Sequence, residues 1–376
     1  MAKALVKQDS GNIDVLHLAL ELSNSKWRLC FSDGEKLRHK VIEAGHLVGL
    51  DEEIARAKER FGLSARCRVV SVYEAGRDGF WIDRALKARG IENLVVDSAS
   101  IEVNRKHRRV KTDRVDVEAL VRQLMRYCGG EAKALAVLRV PTVEEEDLRR
   151  ISRERDRLVK ERGGHRSRIQ SLLVAHGVRC RVDAGLLEAL DELHSPAGYA
   201  LGEELKAEIR REYQRYRQVH EQVLVVERQQ RERVSTSPQG AFKQVGQLLQ
   251  LRGVGPVSAW VLVVEFFSWR GFANRKELAA CAGLTPAPYN SGDSVRDQGI
   301  SKAGNRRLRT LMVELSWLWL RYQPDSALSQ WFGQRFAGGG KRMRRIGIVA
   351  MARKLLVVLW RYLERGELPD GVVLAA

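Results

Sequence analysis

In the stretch VLHLALEL, residues 15–22, Leu16, Leu18, Leu20 and Leu22 alternate with His17, Ala19 and Glu21. That period of two lets a strand put every leucine on one face. Polar SNSK follows as a turn, WRLCF and HKVIEA supply two more strands, and GLDEEIARAKERFG reads as a helix with Asp51 as its cap and a glycine stop. CRVVSVYE, GFWIDRALKARG, ENLVVDS and TDRVDVEALVRQLMRY then alternate strand, helix, strand, helix, the last with apolar residues at 117, 120, 121 and 124. The order is βββαβαβα. A meander followed by crossover units predicts an α/β domain over residues 1–130, a mixed sheet covered by helices.

Residues 131–235 change character. EEEDLRRISRERDRLVKERGGHRSRIQSLL and GEELKAEIRREYQRYRQVHEQVLVVERQQRERV predict two long charged helices with little core. In the second, Leu205, Ile209, Tyr213, Tyr216, Val219, Val223 and Val226 recur mostly three or four apart, a seam for a partner helix. The partner is either another subunit or the first helix folded back. Residues 236–376, after STSPQG, are rich in glycine, tryptophan and short helices, and predict a mainly helical C-terminal domain.

Charge narrows the function. The 65 Lys and Arg against 47 Asp and Glu leave +18, an excess expected of a chain that neutralises phosphates. The apolar run AWVLVVEFFSW is short and holds Glu265, so no membrane span is expected. MAKALVKQDSGNID has no apolar leader core, which points to the cytoplasm. Cys30, Cys67, Cys128, Cys180 and Cys281 lack CxxC spacing and read as buried thiols.

NRKHRRVKTDRVDVEAL sets Asp113 and Asp116 three apart on a predicted helix amid Arg108, Arg109, Lys111 and Arg114. Glu21 ends the first strand and Glu74 follows the fourth, at the edge where sites on α/β sheets form. Hard divalent ions such as Mg²⁺ take oxygen ligands, so converging acids suit phosphoryl transfer while the cations hold the nucleic-acid backbone. The plain alternative is that the acids are helix partners of arginine.

Farther on, LLQLRGVGPVSAW places Gly253 and Gly255 in a tight turn before a helix and resembles a helix-hairpin-helix phosphate grip. CAGLTPAPYNSGDSVRDQGISKAGNRRLR sets Ser291 in a polar loop ahead of Lys302, Arg306, Arg307 and Arg309. Lys341 and Arg342, with Arg344 and Arg345, lead into a last apolar helix, and Lys341, Arg342 and the four cations after Ser291 are expected to contact nucleic acid. Trp317, Trp319, Trp331 and Trp360 near it fit either base stacking or core.

Together YEAGRDGFWIDRALKARGI, VKTDRVDVEAL and GLTPAPYNSGDSVRDQGISKAGNRRLR resemble insertion-sequence transposases that join a DEDD ribonuclease-H-like domain to a C-terminal serine domain. The resemblance spans nearly the whole chain and is to the IS-eleven-eleven branch of the IS-one-ten family. It implies a DEDD catalytic domain at 1–130, a coiled-coil linker and oligomerisation region at 131–235 and a transposase domain at 236–376. It makes Glu21, Glu74, Asp113 and Asp116 ligands of Mg²⁺ or Mn²⁺, and Ser291 the nucleophile that joins covalently to DNA. Ser294 and Ser301 are its rivals. Glu21 stands where the family has aspartate, and Asp14 is the other candidate for that place. The implied partners are double-stranded DNA, an element-encoded bridge (seeker) guide RNA and further copies of the chain in a dimer or tetramer. Such a site would be composite, with acids and serine from different domains, of one chain or of two subunits.

Two other classes use the same residues. A metal-dependent nuclease or Holliday-junction resolvase would set water in place of the serine. A non-catalytic scaffold would bind nucleic acid with the acids as salt-bridge partners.

Overall fold

Leucine at every second position buries one face of β1 (Val15–Leu22): Leu16, Leu18 and Leu20 are fully buried. The computed structural model describes residues 14–97, 113–237, 239–291 and 294–375, with the backbone alone for Asp113, 289–291 and 294–298. The chain divides into two units, Met1–Thr142 and Val143–Ala376.

In the first unit β1 pairs antiparallel with β2 (Lys26–Ser32), and β2 with β3 (Leu37–Glu43). On its other side β1 pairs in parallel with β4 (Arg68–Glu74), and β4 with β5 (Glu92–Val96), giving the order β3-β2-β1-β4-β5. The leucine face joins Trp27, Leu29 and Phe31 of β2 to α1 (Leu47–Phe61) and α2 (Trp81–Lys87). The opposite face carries Ala19, Cys30, Val70, Val72 and Val96 against Val117, Leu120, Val121 and Leu124 of α3 (Asp113–Cys128). Two apolar faces require two helical layers. Residues 131–142 continue this unit, where Leu138 N–H donates to Val95 O at 2.7 Å beyond β5.

Local chemistry corrects one helix start. Gly45, at φ 79°, turns the chain after β3, so α1 begins at Leu47 and Asp51 lies inside it, paired with Arg89 at 3.2 Å rather than capping. The expected stop is present: Gly62 ends α1 at φ 68°.

The second unit opens with α4 (Val143–Ala175) and returns through α5 (Leu186–Ala189) and α6 (Glu203–Thr236). Arg155 meets Glu227 and His165 meets Glu212, so α4 and α6 run antiparallel as a helical hairpin. Ile209, Tyr213, Val219, Val223 and Val226 are buried within the single chain, so the seam that could have taken a second subunit is filled from within. Then come α7 (Gly240–Leu249), α8 (Pro256–Leu262), a π-helical turn Val263–Phe267 and α9 (Arg275–Cys281). The chain ends in α10 (Arg306–Tyr322), α11 (Ala327–Phe336) and α12 (Lys341–Arg365) around one core.

Between α9 and α10 the expected loop is a hairpin of β6 (Pro286–Ser291) and β7 (Ser294–Ile300). Proline lacks the N–H a ladder needs, and the register shifts between Pro286 and Pro288. The thiols also divide differently from the expectation: Cys30 and Cys67 are buried, but Cys128 is exposed. No helix among the described residues is long and apolar enough to cross a membrane.

Candidate active site

The register of two parallel strands sets the first acids side by side. Leu20 of β1 pairs with Tyr73 of β4, and Glu21 and Glu74 are the next residues, Glu74 the last of β4 and Glu21 the last but one of β1. Alternation fixes their face. Leu20 and Tyr73 point into the α1–α2 layer, so Glu21 and Glu74 lie on the α3 side. Asp14 immediately precedes β1, at the opposite end of the sheet from Glu74.

The direction of α3 brings the other pair to the same edge. Glu118 pairs with His39 at 3.0 Å on the Ala19–Cys30–His39 row, while Cys128, at the helix end, lies by Arg68 and Glu92, the first residues of β4 and β5. The helix therefore starts at the Glu21–Glu74 edge, with Asp113 as its first residue and Asp116 half-buried in its first turn. Among the described residues no three His, Cys, Asp or Glu side chains are gathered as a metal cluster, and the Asp113 carboxylate is not among them. In donor type the edge suits a hard divalent ion.

The flanks of this edge are held locally. Tyr73 O–H donates to Gly79 O at 3.0 Å, and Ala75 N–H to Val96 O at 2.9 Å, which pins the segment after Glu74. Burial, with the Glu118 charge, pushes the Cys30 thiol up to about 12, so it stays protonated and unreactive. Burial outweighs Glu118 at His39, whose imidazole sits below its ordinary range. Of the expected backbone contacts, Arg114 is exposed and pairs with Glu118 at 3.2 Å; Arg108, Arg109 and Lys111 lie outside the described residues.

Ser291 is the last residue of β6, paired across the hairpin with its rival Ser294. The signal passed over in the sequence was NSGDS, turn residues flanked by two extended stretches. The base of the hairpin is locked to its neighbours. Ser301 N–H donates to Thr285 O at 2.9 Å, Lys302 N–H to Gly283 O at 3.2 Å and Asn305 N–H to Cys281 O at 2.8 Å. This approach requires glycine: a Cβ on Gly283 would lie 2.0 Å from Ala303 O, and one on Gly304 2.4 Å from Cys281 O. Lys302 itself holds φ 56°, a left-handed backbone uncommon for a residue with a side chain.

The cations after the hairpin split by role. Arg307 Nη1 donates to Glu265 Oε1 at 2.7 Å, its Nε lies 2.7 Å from Asp156, and Nη2 donates to Ser152 O at 2.9 Å. Arg309 donates to Ala282 O at 3.2 Å. Both therefore brace the fold. Lys302 and Arg306 are exposed.

The glycine turn between α7 and α8 is present. Gly253 holds φ 96°, Gly255 precedes α8, and Gln323 Nε2 donates to Arg252 O at 2.8 Å to fix the turn from below. Lys341 and Arg342 are exposed at the start of α12. Trp319 is core, its indole N–H donating to Ser326 at 3.0 Å, and Trp331 lies under the Lys354 ammonium at 4.5 Å; Trp317 is 42% exposed.

Comparison with known proteins gives a consistent set. Residues 246–330 match the model described as Transposase IS116/IS110/IS902 family. The y4rJ protein of Sinorhizobium fredii, named as a transposase, is 43% identical over 384 residues, covering 96% of this chain and 95% of that one. The transposase for insertion sequence element IS1111A of Coxiella burnetii is 26% identical over 68% of each chain. That for IS1328 of Yersinia enterocolitica is 23% identical over 68% of this chain and 72% of its own.

Proposed function

Because the chain belongs to the IS116/IS110/IS902 family of insertion-sequence transposases, we propose that it exchanges DNA strands through a covalent serine–DNA intermediate, with carboxylate-held Mg²⁺ or Mn²⁺ and a guide RNA. Membership makes it a DNA-processing enzyme, which sets aside the non-catalytic scaffold.

The observation that carries the reading is the acid edge. Glu21 and Glu74 lie side by side at the C-terminal ends of neighbouring parallel strands, on the face where α3 begins with Asp113 and Asp116. A ribonuclease-H-like domain is supported by the order β3-β2-β1-β4-β5, an antiparallel meander with two parallel strands added. Glu21, Glu74, Asp113 and Asp116 would hold the ion, whose chemistry is to stabilise charge on phosphoryl oxygens. The Ser291 hydroxyl attacks a backbone phosphorus and gives up its proton to water or a general base, while a bond from phosphorus to a deoxyribose oxygen breaks. A sugar hydroxyl of the exchanged strand then attacks the same phosphorus and releases the serine. Among the described residues, exposed Lys302 and Arg306 are cations available near the hairpin base for phosphate. Gly253 and Gly255 offer a backbone grip on DNA, and the +18 charge supports a second polyanion, the guide RNA.

Detergent-resistant trapping on DNA tests this. Wild-type protein, purified with its RNA, should form a complex that Ser291→Ala abolishes while Ser294→Ala and Ser301→Ala retain it. Cutting in Mg²⁺ without trapping would instead make water the nucleophile, as in a resolvase. Sequencing of copurified RNA tests guidance, and random cellular fragments alone would count against it.

A further inference from the structure

The start of α12 lies exposed at the surface. All of Lys341, Arg342, Met343, Arg344, Arg345 and Ile346 are exposed, and the helix first meets the core at Gly347, where a Cβ would lie 2.5 Å from the Phe336 ring. Exposure of six consecutive residues covers the full circumference of a helix at about 3.6 residues per turn. Met343 and Ile346, 44% and 49% exposed, share one face. Arg342 flanks that face, Arg344 and Arg345 lie farther round on its two sides, and Lys341 is opposite it.

This composition works against folding stability. The N-terminal end of a helix is its positive end and favours acids, yet α12 has no acid in its first turn and carries four cations in its first five residues. None of the four has an acidic partner among the described residues. Repulsion of this kind is relieved by an external polyanion.

We propose that residues 341–346 enter the major groove of double-stranded DNA, a proposal that rests on the DNA-processing reading above. A helix fits the major groove of B-form DNA, which is about 12 Å wide, whereas the major groove of A-form RNA is too narrow. The surrounding cations reach the phosphates on both walls. Met343 and Ile346 face the floor, where thymine methyl groups are the apolar feature.

The test is fluorescence anisotropy of the full-length chain, freed of RNA by high salt, on a mixed-sequence duplex across a salt series. Replacing Lys341, Arg342, Arg344 and Arg345 by alanine should lower the slope of log affinity against log salt by about 3 to 4, at about 0.9 per phosphate contact. Met343→Ser with Ile346→Ser should keep the slope. Exchanging thymine for uracil in the duplex should weaken the wild type about fourfold, the value of a buried methyl, and leave the serine variant unchanged. The four alanines remove the like charges that crowd the start of α12, so that variant should melt at or above the wild-type temperature and any loss of binding is not a loss of folding. Binding by the wild type with an unchanged slope in the alanine variant would overturn this surface alone. Loss of copurified RNA with duplex binding intact would also overturn it and assign the projection to RNA. A wild type that binds no duplex would overturn the DNA reading and this surface together.

Discussion

Arg307 Nη1 lies 2.7 Å from Glu265 Oε1, and this pair ties the first turn of α10 to the π-helical turn after α8. Arg153 binds the same carboxylate through two contacts of 2.9 Å, and Trp269 N–H donates to Glu265 O at 3.1 Å. Glu265, which breaks the apolar run in the sequence, is thus a buried anion between two arginines. Its position at the root of α10 makes it a support for the hairpin that carries Ser291.

Removing one partner of that pair should be costly. Arg307→Ala is expected to destabilise the protein by roughly 3 kcal/mol, the low end for a broken buried pair because Arg153 still neutralises Glu265. Denaturant melts measure this, and a change under about 0.5 kcal/mol, the usual scale of a surface substitution, would show that the pair is not structural.

The acid edge predicts a pattern of activity. Glu21→Gln, Glu74→Gln and Asp116→Asn each keep carboxylate shape but lose charge, and each should lower strand cutting on the order of 100-fold or more with folding intact. Asp14→Asn, at the opposite end of the sheet, should cut at the wild-type rate. An inactive Asp14→Asn beside an active Glu21→Gln would reverse the assignment of the first acid.

Acid stability should depend on Glu212. Burial pushes its carboxyl up, but hydrogen bonds from His165, Arg168 and Arg215 and the Arg168 charge overcome this and hold it at about 2, below its ordinary 4.5. A depressed folded value means that the unfolded chain binds the proton first. The stabilisation is therefore full above pH 4.5 and is lost as pH falls toward 2. Over that window Glu212→Gln should lose less stability than the wild type, and parallel melting curves would count against the carboxylate.

The helical hairpin holds a correctable weakness. Gly163 lies inside α4, and a Cβ there would meet no atom within 4 Å. Gly163→Ala should stabilise by about 1 kcal/mol through helix propensity and loss of unfolded-state freedom, read as a higher melting temperature. A lower one would mean that α4 needs its local looseness there.

Much of this molecule is written in short-range pattern. The period of two in VLHLALEL, the apolar spacing of TDRVDVEALVRQLMRY and the two long charged stretches each bury or expose residues through their own geometry, so strands, helices and the strand-end places of Glu21 and Glu74 are legible in sequence. Other features depend on partners far along the chain. Leu20 against Tyr73 sets the acid register, Glu118 against His39 sets the direction of α3, and Arg153 reaches Glu265 across 112 residues. Arg307 reads as a phosphate contact until tertiary structure supplies the buried carboxylate it neutralises. Arg344, in a run of the same charge, gains no such partner among the described residues and is left exposed. A side chain's type sets what it can bind, but burial and the nearest opposite charge, both non-local, decide whether it braces the fold or remains available to a ligand.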